Sequence, residues 1–189
     1  IIGSGRTDAR VHALGQVANF RIDTKIPIDK LPYAINSQLP DDIVVKDARI
    51  VPRNFHARFS AKSKVYAYKI FNSKFPSPLL RNYSYFFTRP LDVEAITEAG
   101  KRFVGIHDFT AFRATGSPVK TSVREVYQLS IQKSNDLITM EITANGFLYN
   151  MMRIIAGTLL DVGQHKIGID EIEEIILSKD RNRAGKTLP

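Results

Sequence analysis

Cysteine is missing from all 189 residues. That excludes disulfides and thiolate metal sites, and it makes a reducing, cytoplasmic compartment the expectation. Histidine is scarce: His12, His56, His107 and His165 lie far apart with no i, i+4 pair, which argues against a zinc site. No apolar run approaches the roughly 18–20 residues of a membrane span, and no secretory signal opens the sequence, so no membrane partner is expected. Internal repeats and low-complexity tracts are absent as well. One further absence is local. Between Arg49 and Leu91 there is no acidic residue, although nine Lys or Arg fall in that stretch.

What is present is ordinary in bulk and unusual in arrangement. Hydrophobic residues make up 43% and charged residues 24%, as in a globular protein with one large domain or two small ones. The net charge of +8 favours a polyanionic partner. Within the acid-free stretch, Arg53, Arg58, Lys62, Lys64 and Lys69 alternate with Phe55, Phe59, Tyr66, Tyr68 and Phe71. Such a mixture suits a surface that neutralises phosphates and stacks unpaired bases. The plainer alternative is a solvated basic face over an aromatic core.

Asp8 is the only carboxylate among the first 22 residues, and Arg6 and Arg10 flank it two positions away. Neighbouring positive charge lowers a carboxylate pKa by roughly 1–3 units, so this acid is expected to be ionised. An ionised, desolvated carboxylate is what nucleophilic or proton-abstracting chemistry at a sugar carbon requires. A turn aspartate capping local amides is the competing reading.

Patterning predicts an α+β fold on antiparallel or mixed sheet. Strands are expected over 16–22, 43–50, 61–71, 83–88, 122–133 and 137–144. In the 61–71 strand, Tyr66, Tyr68 and Ile70 share one face, with Val65, Ala67 and Phe71 on the other. Ser134-Asn135-Asp136 reads as a hairpin turn. A helix is expected around Leu31, Ala34 and Ile35, with Pro32 in its first turn and Pro40 as its stop. Another begins at the cap Asp92 and closes at Gly105, a third runs over 147–162 and ends at Gly163, and a last one begins at Asp170.

Four ordered segments carry a family resemblance. They are Gly5-Arg6-Thr7-Asp8-Ala9 with Val11-His12-Ala13 and Gly15-Gln16-Val17; Phe55-His56-Ala57-Arg58-Phe59-Ser60-Ala61 leading to Lys64-Val65-Tyr66-Ala67-Tyr68; Gly105-Ile106-His107-Asp108-Phe109 with Phe112; and Ala144-Asn145-Gly146-Phe147-Leu148 through Met152-Arg153 to Gly157. Together they resemble the tRNA pseudouridine synthase A (TruA) family over nearly the whole chain.

The resemblance implies a pseudouridine synthase fold, with two α/β subdomains around a mixed, largely antiparallel sheet and a central basic cleft. Residues 1–60 would form a partial N-terminal subdomain carrying the Asp loop, and 61–189 a C-terminal one carrying the Tyr strand and Arg helix. It implies isomerisation of uridine to pseudouridine in the tRNA anticodon stem-loop, at positions 38, 39 and 40, without cofactor or metal, by a homodimer. Asp8 matches the catalytic aspartate, which either attacks the ribose or initiates proton removal from it. Tyr66 matches the tyrosine that packs on the uracil and helps move the C5 proton. Arg153 matches the arginine paired with that aspartate, Arg6 a residue associated with base flipping, and Leu148 a pocket-lining position. Arg10, Arg58, Lys62 and Lys64 are expected at RNA phosphates.

Two departures accompany the match. Arg10 stands where the family usually has glycine, at a cost of about 1–2 kcal/mol if the position needs a positive φ. The strand and helix that the family carries ahead of the motif, and its closing strand after the segment ending at Pro189, are not in this sequence. Two other function classes compete: a non-catalytic RNA-binding or RNA-chaperone module, and a glycosyl hydrolase, which would need a second acid near Asp8. His12, His107 and Asp108 are read as structural, and Phe109 and Phe112 as core.

Overall fold

The computed structural model describes residues 1–5, 11–116 and 120–189. The chain divides into two compact units, Ile1–Lys62 and Ser63–Pro189.

The first unit holds little regular structure. Strand β1 (Ile2–Gly3) pairs antiparallel with β2 (Ala18–Asn19), so the strand expected over 16–22 shrinks to two residues. Helix α1 (Leu31–Asn36) carries Pro32 in its first turn, where a missing N–H costs no helical hydrogen bond. It ends at Asn36, ahead of Pro40, which is therefore not its stop. The strand expected over 43–50 does not form. The Val45 N–H donates to Asn36 Oδ1 at 2.8 Å, and the Val45 carbonyl accepts from Asn36 Nδ2 at 2.9 Å. One side-chain amide thus satisfies the backbone groups that a strand partner would have used. Ile43, Val44 and Ile50 remain exposed.

The second unit is built on a five-stranded mixed sheet. Its elements are β3 (Lys64–Asn72), β4 (Tyr85–Phe87), α2 (Val93–Lys101), β5 (Gly105–Asp108), β6 (Val123–Ser134), β7 (Leu137–Ala144), α3 (Met151–Gly163) and α4 (Glu171–Ser178). The strand order is β4-β3-β7-β6-β5, with β3 and β4 parallel and every other pair antiparallel. The expected α+β class on a mixed, largely antiparallel sheet is what forms here.

Local patterns explain most of these elements. Along β3 the side chains alternate, Val65, Ala67 and Lys69 exposed and Tyr66, Tyr68 and Ile70 turned inward. Tyr66, Tyr68 and Ile70 stand opposite Ile142, Met140 and Ile138 of β7, which are fully buried. Asn135, at φ 52°, makes the tight β6–β7 turn, a conformation that asparagine tolerates well. Asp92 caps α2 by accepting from the Ala95 N–H at 2.9 Å.

Two boundaries differ from expectation. Helix α2 stops at Lys101, and Gly105, at φ +119°, opens β5 instead of closing the helix. Gly-Ile-His-Asp offers one apolar residue and no alternation, so this strand left no readable period. Helix α3 begins at Met151 rather than 147, because Asn150 adopts a left-handed conformation (φ 60°) that a continuous helix forbids.

Helix α3 is the centre of the core. Of its residues, Arg153 and Asp161 alone are not fully buried. An apolar surface on all sides means a helix enclosed on all sides. It packs among Ile96 and Ala99 of α2, Ile172, Ile175 and Ile176 of α4, Phe103, Phe109 and Phe112, and the inner face of the sheet. No helix among the described residues is long and apolar enough to cross a membrane.

Candidate active site

In the first unit the β1–β2 pair clamps the ends of the segment that carries Asp8. The Ser4 N–H donates to the Val17 carbonyl at 2.8 Å, and Gln16 Nε2 donates to the Gly5 carbonyl at 2.8 Å. The Gly15-Gln16-Val17 portion of the motif therefore anchors Ser4 and Gly5, where the motif begins. Asp8 itself, with Arg6 and Arg10, lies outside the described residues. The same strand pair holds the second motif: Asn19 Oδ1 accepts from the Ala57 N–H at 2.8 Å, and Ala57 is buried. Arg58 and Lys62 follow on the surface, both exposed.

In the second unit, β3 and α3 supply the remaining residues. Tyr66 is half-buried on the inner face of β3, its ring edge-on to Phe147 with centroids 4.6 Å apart. Lys64 begins the strand and is half-buried too. Leu148, the next residue after Phe147, is buried within the core cluster. Its carbonyl accepts the Met151 N–H at 3.1 Å and so starts the turn that enters α3.

Arg153 lies one turn into α3. Its Nε donates to the Leu188 carbonyl at 2.6 Å, and its Nη1 donates to Asn150 Oδ1 at 3.0 Å. Two contacts to a planar guanidinium set its orientation. Tyr68, two residues from Tyr66 on the same face, donates its hydroxyl to the Pro189 carbonyl at 2.9 Å. Burial pushes the Tyr68 phenol well above its ordinary value, the Arg153 charge opposes that rise, and Tyr85 adds to it. Tyr68 and Arg153 thus share one electrostatic environment, beneath the segment 184–189.

That segment crosses α3 backbone to backbone. A Cβ on Gly157 would fall inside van der Waals contact with the Lys186 carbonyl oxygen, and one on Gly185 would lie 2.5 Å from the Thr158 amide nitrogen. The Gly185 N–H donates to Thr158 Oγ1 at 2.8 Å, and the Leu188 N–H to the Arg153 carbonyl at 3.2 Å. Arg181 fastens the segment from outside, donating to the Ala184 and Gly185 carbonyls and to Thr187 Oγ1.

These contacts identify residues that motif reading passed over. Asn150, Tyr68 and the Leu188 carbonyl all converge on Arg153 or its surroundings. Asn150 had one legible signal, an asparagine just ahead of an apolar helix. Leu188 had none, since its role is played by the backbone.

His107 packs edge-on to Phe109, with Nε2 3.1 Å from the Val104 carbonyl. Asp108 accepts from the Ser122 hydroxyl and from the Thr110 hydroxyl and N–H, and it pairs with Lys179 at 2.9 Å. The Ser122 bond first, then Thr110 and Lys179, hold its carboxyl well below the usual carboxylate range, against the opposing effect of burial. Phe109 and Phe112 are fully buried core residues, as expected.

Comparison with known proteins gives this arrangement its context. A family model described as tRNA pseudouridine synthase matches residues 1–60 and 99–189. The chain belongs to the tRNA pseudouridine synthase family. Among curated relatives, tRNA pseudouridine synthase A of Thermoanaerobacter sp. (strain X514) is 55% identical over 189 residues, all of this chain and 78% of that protein. The enzymes of the same name from Acetivibrio thermocellus and Bacillus subtilis (strain 168) are 52% and 48% identical over the whole chain, which spans 78% and 76% of their lengths. The stretches that the pseudouridine synthase family model matches include the Asp8 motif, the Phe55–Ser60 segment and all of α3. Tyr66 falls between the two stretches and within the alignments to the full relatives.

Proposed function

We propose that this chain isomerises uridine to pseudouridine in tRNA, at positions 38, 39 and 40 of the anticodon stem-loop, as an isomerase working without cofactor or metal. The atoms balance within the substrate and water. The C1′–N1 bond breaks, a C1′–C5 bond forms, the C5 proton leaves, and N1 takes one up. In this reading Asp8 is the catalytic carboxylate, acting either as nucleophile at the ribose or as the base that starts proton removal from it. Arg153 is its ion-pair partner and holds it ionised. Tyr66 packs on the uracil and assists transfer of the C5 proton, Leu148 lines the pocket, and Arg6 displaces the target base from its stack. Leaving the stack costs a few kcal/mol, which phosphate contacts by Arg10, Arg58, Lys62 and Lys64 in a basic cleft help to offset. The working form is a cytoplasmic homodimer with tRNA as partner.

The observation that carries this reading is the setting of Arg153. A guanidinium on an otherwise enclosed apolar helix is oriented by Asn150 and the Leu188 carbonyl, beside Tyr68. In this reading the family motif supplies Asp8 as the carboxylate that faces this guanidinium.

The test is release of the C5 hydrogen from tRNA labelled at uridine C5. Wild-type protein is expected to release it. Asp8→Asn should abolish release while tRNA affinity stays within about tenfold. Full release by Asp8→Asn would refute the assignment of Asp8. Binding without release by the wild-type chain would instead support the RNA-binding module.

A further inference from the structure

We propose that Phe59 is a stacking platform for an unpaired base of the bound RNA. The inference rests on the reading of this chain as an RNA-binding protein and specifies which side chain reads the single-stranded character of that RNA.

Phe59 is 78% exposed, a large apolar ring left in water on a short loop. The loop is built to hold it there. The Ser60 N–H donates to the His56 carbonyl at 2.8 Å, and the His56 N–H to Ser60 Oγ at 3.2 Å. The Phe59 N–H donates to His56 Nδ1 at 3.3 Å. Ala57, buried between them, is pinned to Asn19. The His56 ring lies stacked on the Phe59 ring, centroids 4.2 Å apart at 29°, so the platform is backed rather than loose. The Arg58 guanidinium stands 5.9 Å from the same ring centroid.

Exposure, a fixed backbone and a backing ring leave little conformational entropy to be lost when a flat ligand stacks. The surrounding charge selects the ligand. Arg53, Arg58 and Lys62 are exposed, and no acidic residue occurs from Ala48 to Leu91. A partner presenting both a π-face and negative charge is single-stranded nucleic acid, whose bases stack on aromatics regardless of sequence. A protein partner with an apolar contact would need bulk at this position, but not aromaticity.

That difference defines the experiment. Phe59→Ala, Phe59→Leu, Phe59→Trp and Arg58→Ala would each be checked for folding by circular dichroism. Binding would be measured across a salt series to an unmodified tRNA transcript and to a fully paired RNA duplex. Phe59→Ala and Phe59→Leu are expected to weaken transcript binding about tenfold or more, with Phe59→Trp within about twofold of wild type. Neither loss should change the log affinity against log salt slope, and duplex binding should be unaffected. Arg58→Ala should instead make the slope shallower by about 0.7–0.9, the signature of one phosphate contact. Wild-type affinity in Phe59→Ala, rescue by Leu, or equal losses on transcript and duplex would overturn the stacking role. If wild-type protein binds neither RNA, both this inference and the RNA-binding reading fall. Intact binding and Asp8-dependent turnover with an indifferent Phe59 would overturn this inference alone.

Discussion

Replacing Gly157 with alanine puts the described geometry at most risk. On an isolated helix the change would stabilise, since alanine is favoured over glycine by about 1 kcal/mol in a helix interior. Here the new methyl group would collide with the Lys186 carbonyl oxygen and sit 3.1 Å from the carbonyl carbon. Both are backbone atoms, so relief requires the segment 184–189 to move away from α3. Full release would break the Gly185–Thr158 bond, both Arg153–Leu188 bonds and the Tyr68–Pro189 bond. At about 1 kcal/mol each, and more for the guanidinium, these total about 4–6 kcal/mol. Exposing Leu188, now fully buried, adds about 2 kcal/mol. Partial accommodation through strain costs about 1–3 kcal/mol. The expected net loss is therefore about 2–5 kcal/mol, read from the midpoint of urea unfolding. Hydrogen exchange gives an independent check, because the Gly185 and Leu188 amides of the crossing segment should lose protection before the amides of α3 do. A variant as stable as wild type, with both amides still protected, would refute the close crossing and with it the positioning of Arg153 by Leu188.

Three other outcomes are expected. Tyr66→Phe should lower turnover far more than tRNA affinity, measured by C5 hydrogen release against filter binding; equal losses would reduce Tyr66 to a packing role against Phe147. With about six phosphate contacts, log affinity for tRNA should fall against log salt with a slope near −5, and a slope near zero would place the basic stretch away from RNA. Asp108→Asn should destabilise by about 1–3 kcal/mol at neutral pH. Because the folded-state carboxyl titrates below its unfolded value near 3.9, its contribution is complete above about pH 5 and declines as the pH falls below 4. Wild type and variant should accordingly converge in stability in acid, and a gap that persists there would mean that ionisation of Asp108 is not what the network holds.

Some features could be read directly because their causes are near neighbours in the chain. The alternation along β3, the Asn135 turn, the Asp92 cap and the Pro32 helix start depend on residues within a few positions of one another, and all appear. The motif segments were legible for the same reason, and they led to the right family. Where local signals failed, a distant group had intervened. The 43–50 strand is pre-empted by the Asn36 side chain, and β5 exists because β6 pairs with it, since its own residues carry no period.

The amino-acid order alone therefore determined the sheet class, the division of β3 into two faces, the apolar character of α3 and the family. Only the tertiary structure decided why Gly157 has no side chain, what orients Arg153, and that Phe59 of the basic stretch stands in solvent on a hydrogen-bonded loop. Those depend on backbone atoms and packing partners as much as 121 residues away, as between Tyr68 and Pro189. A carbonyl oxygen is the same in every residue, so no reading of side-chain types could have assigned its role.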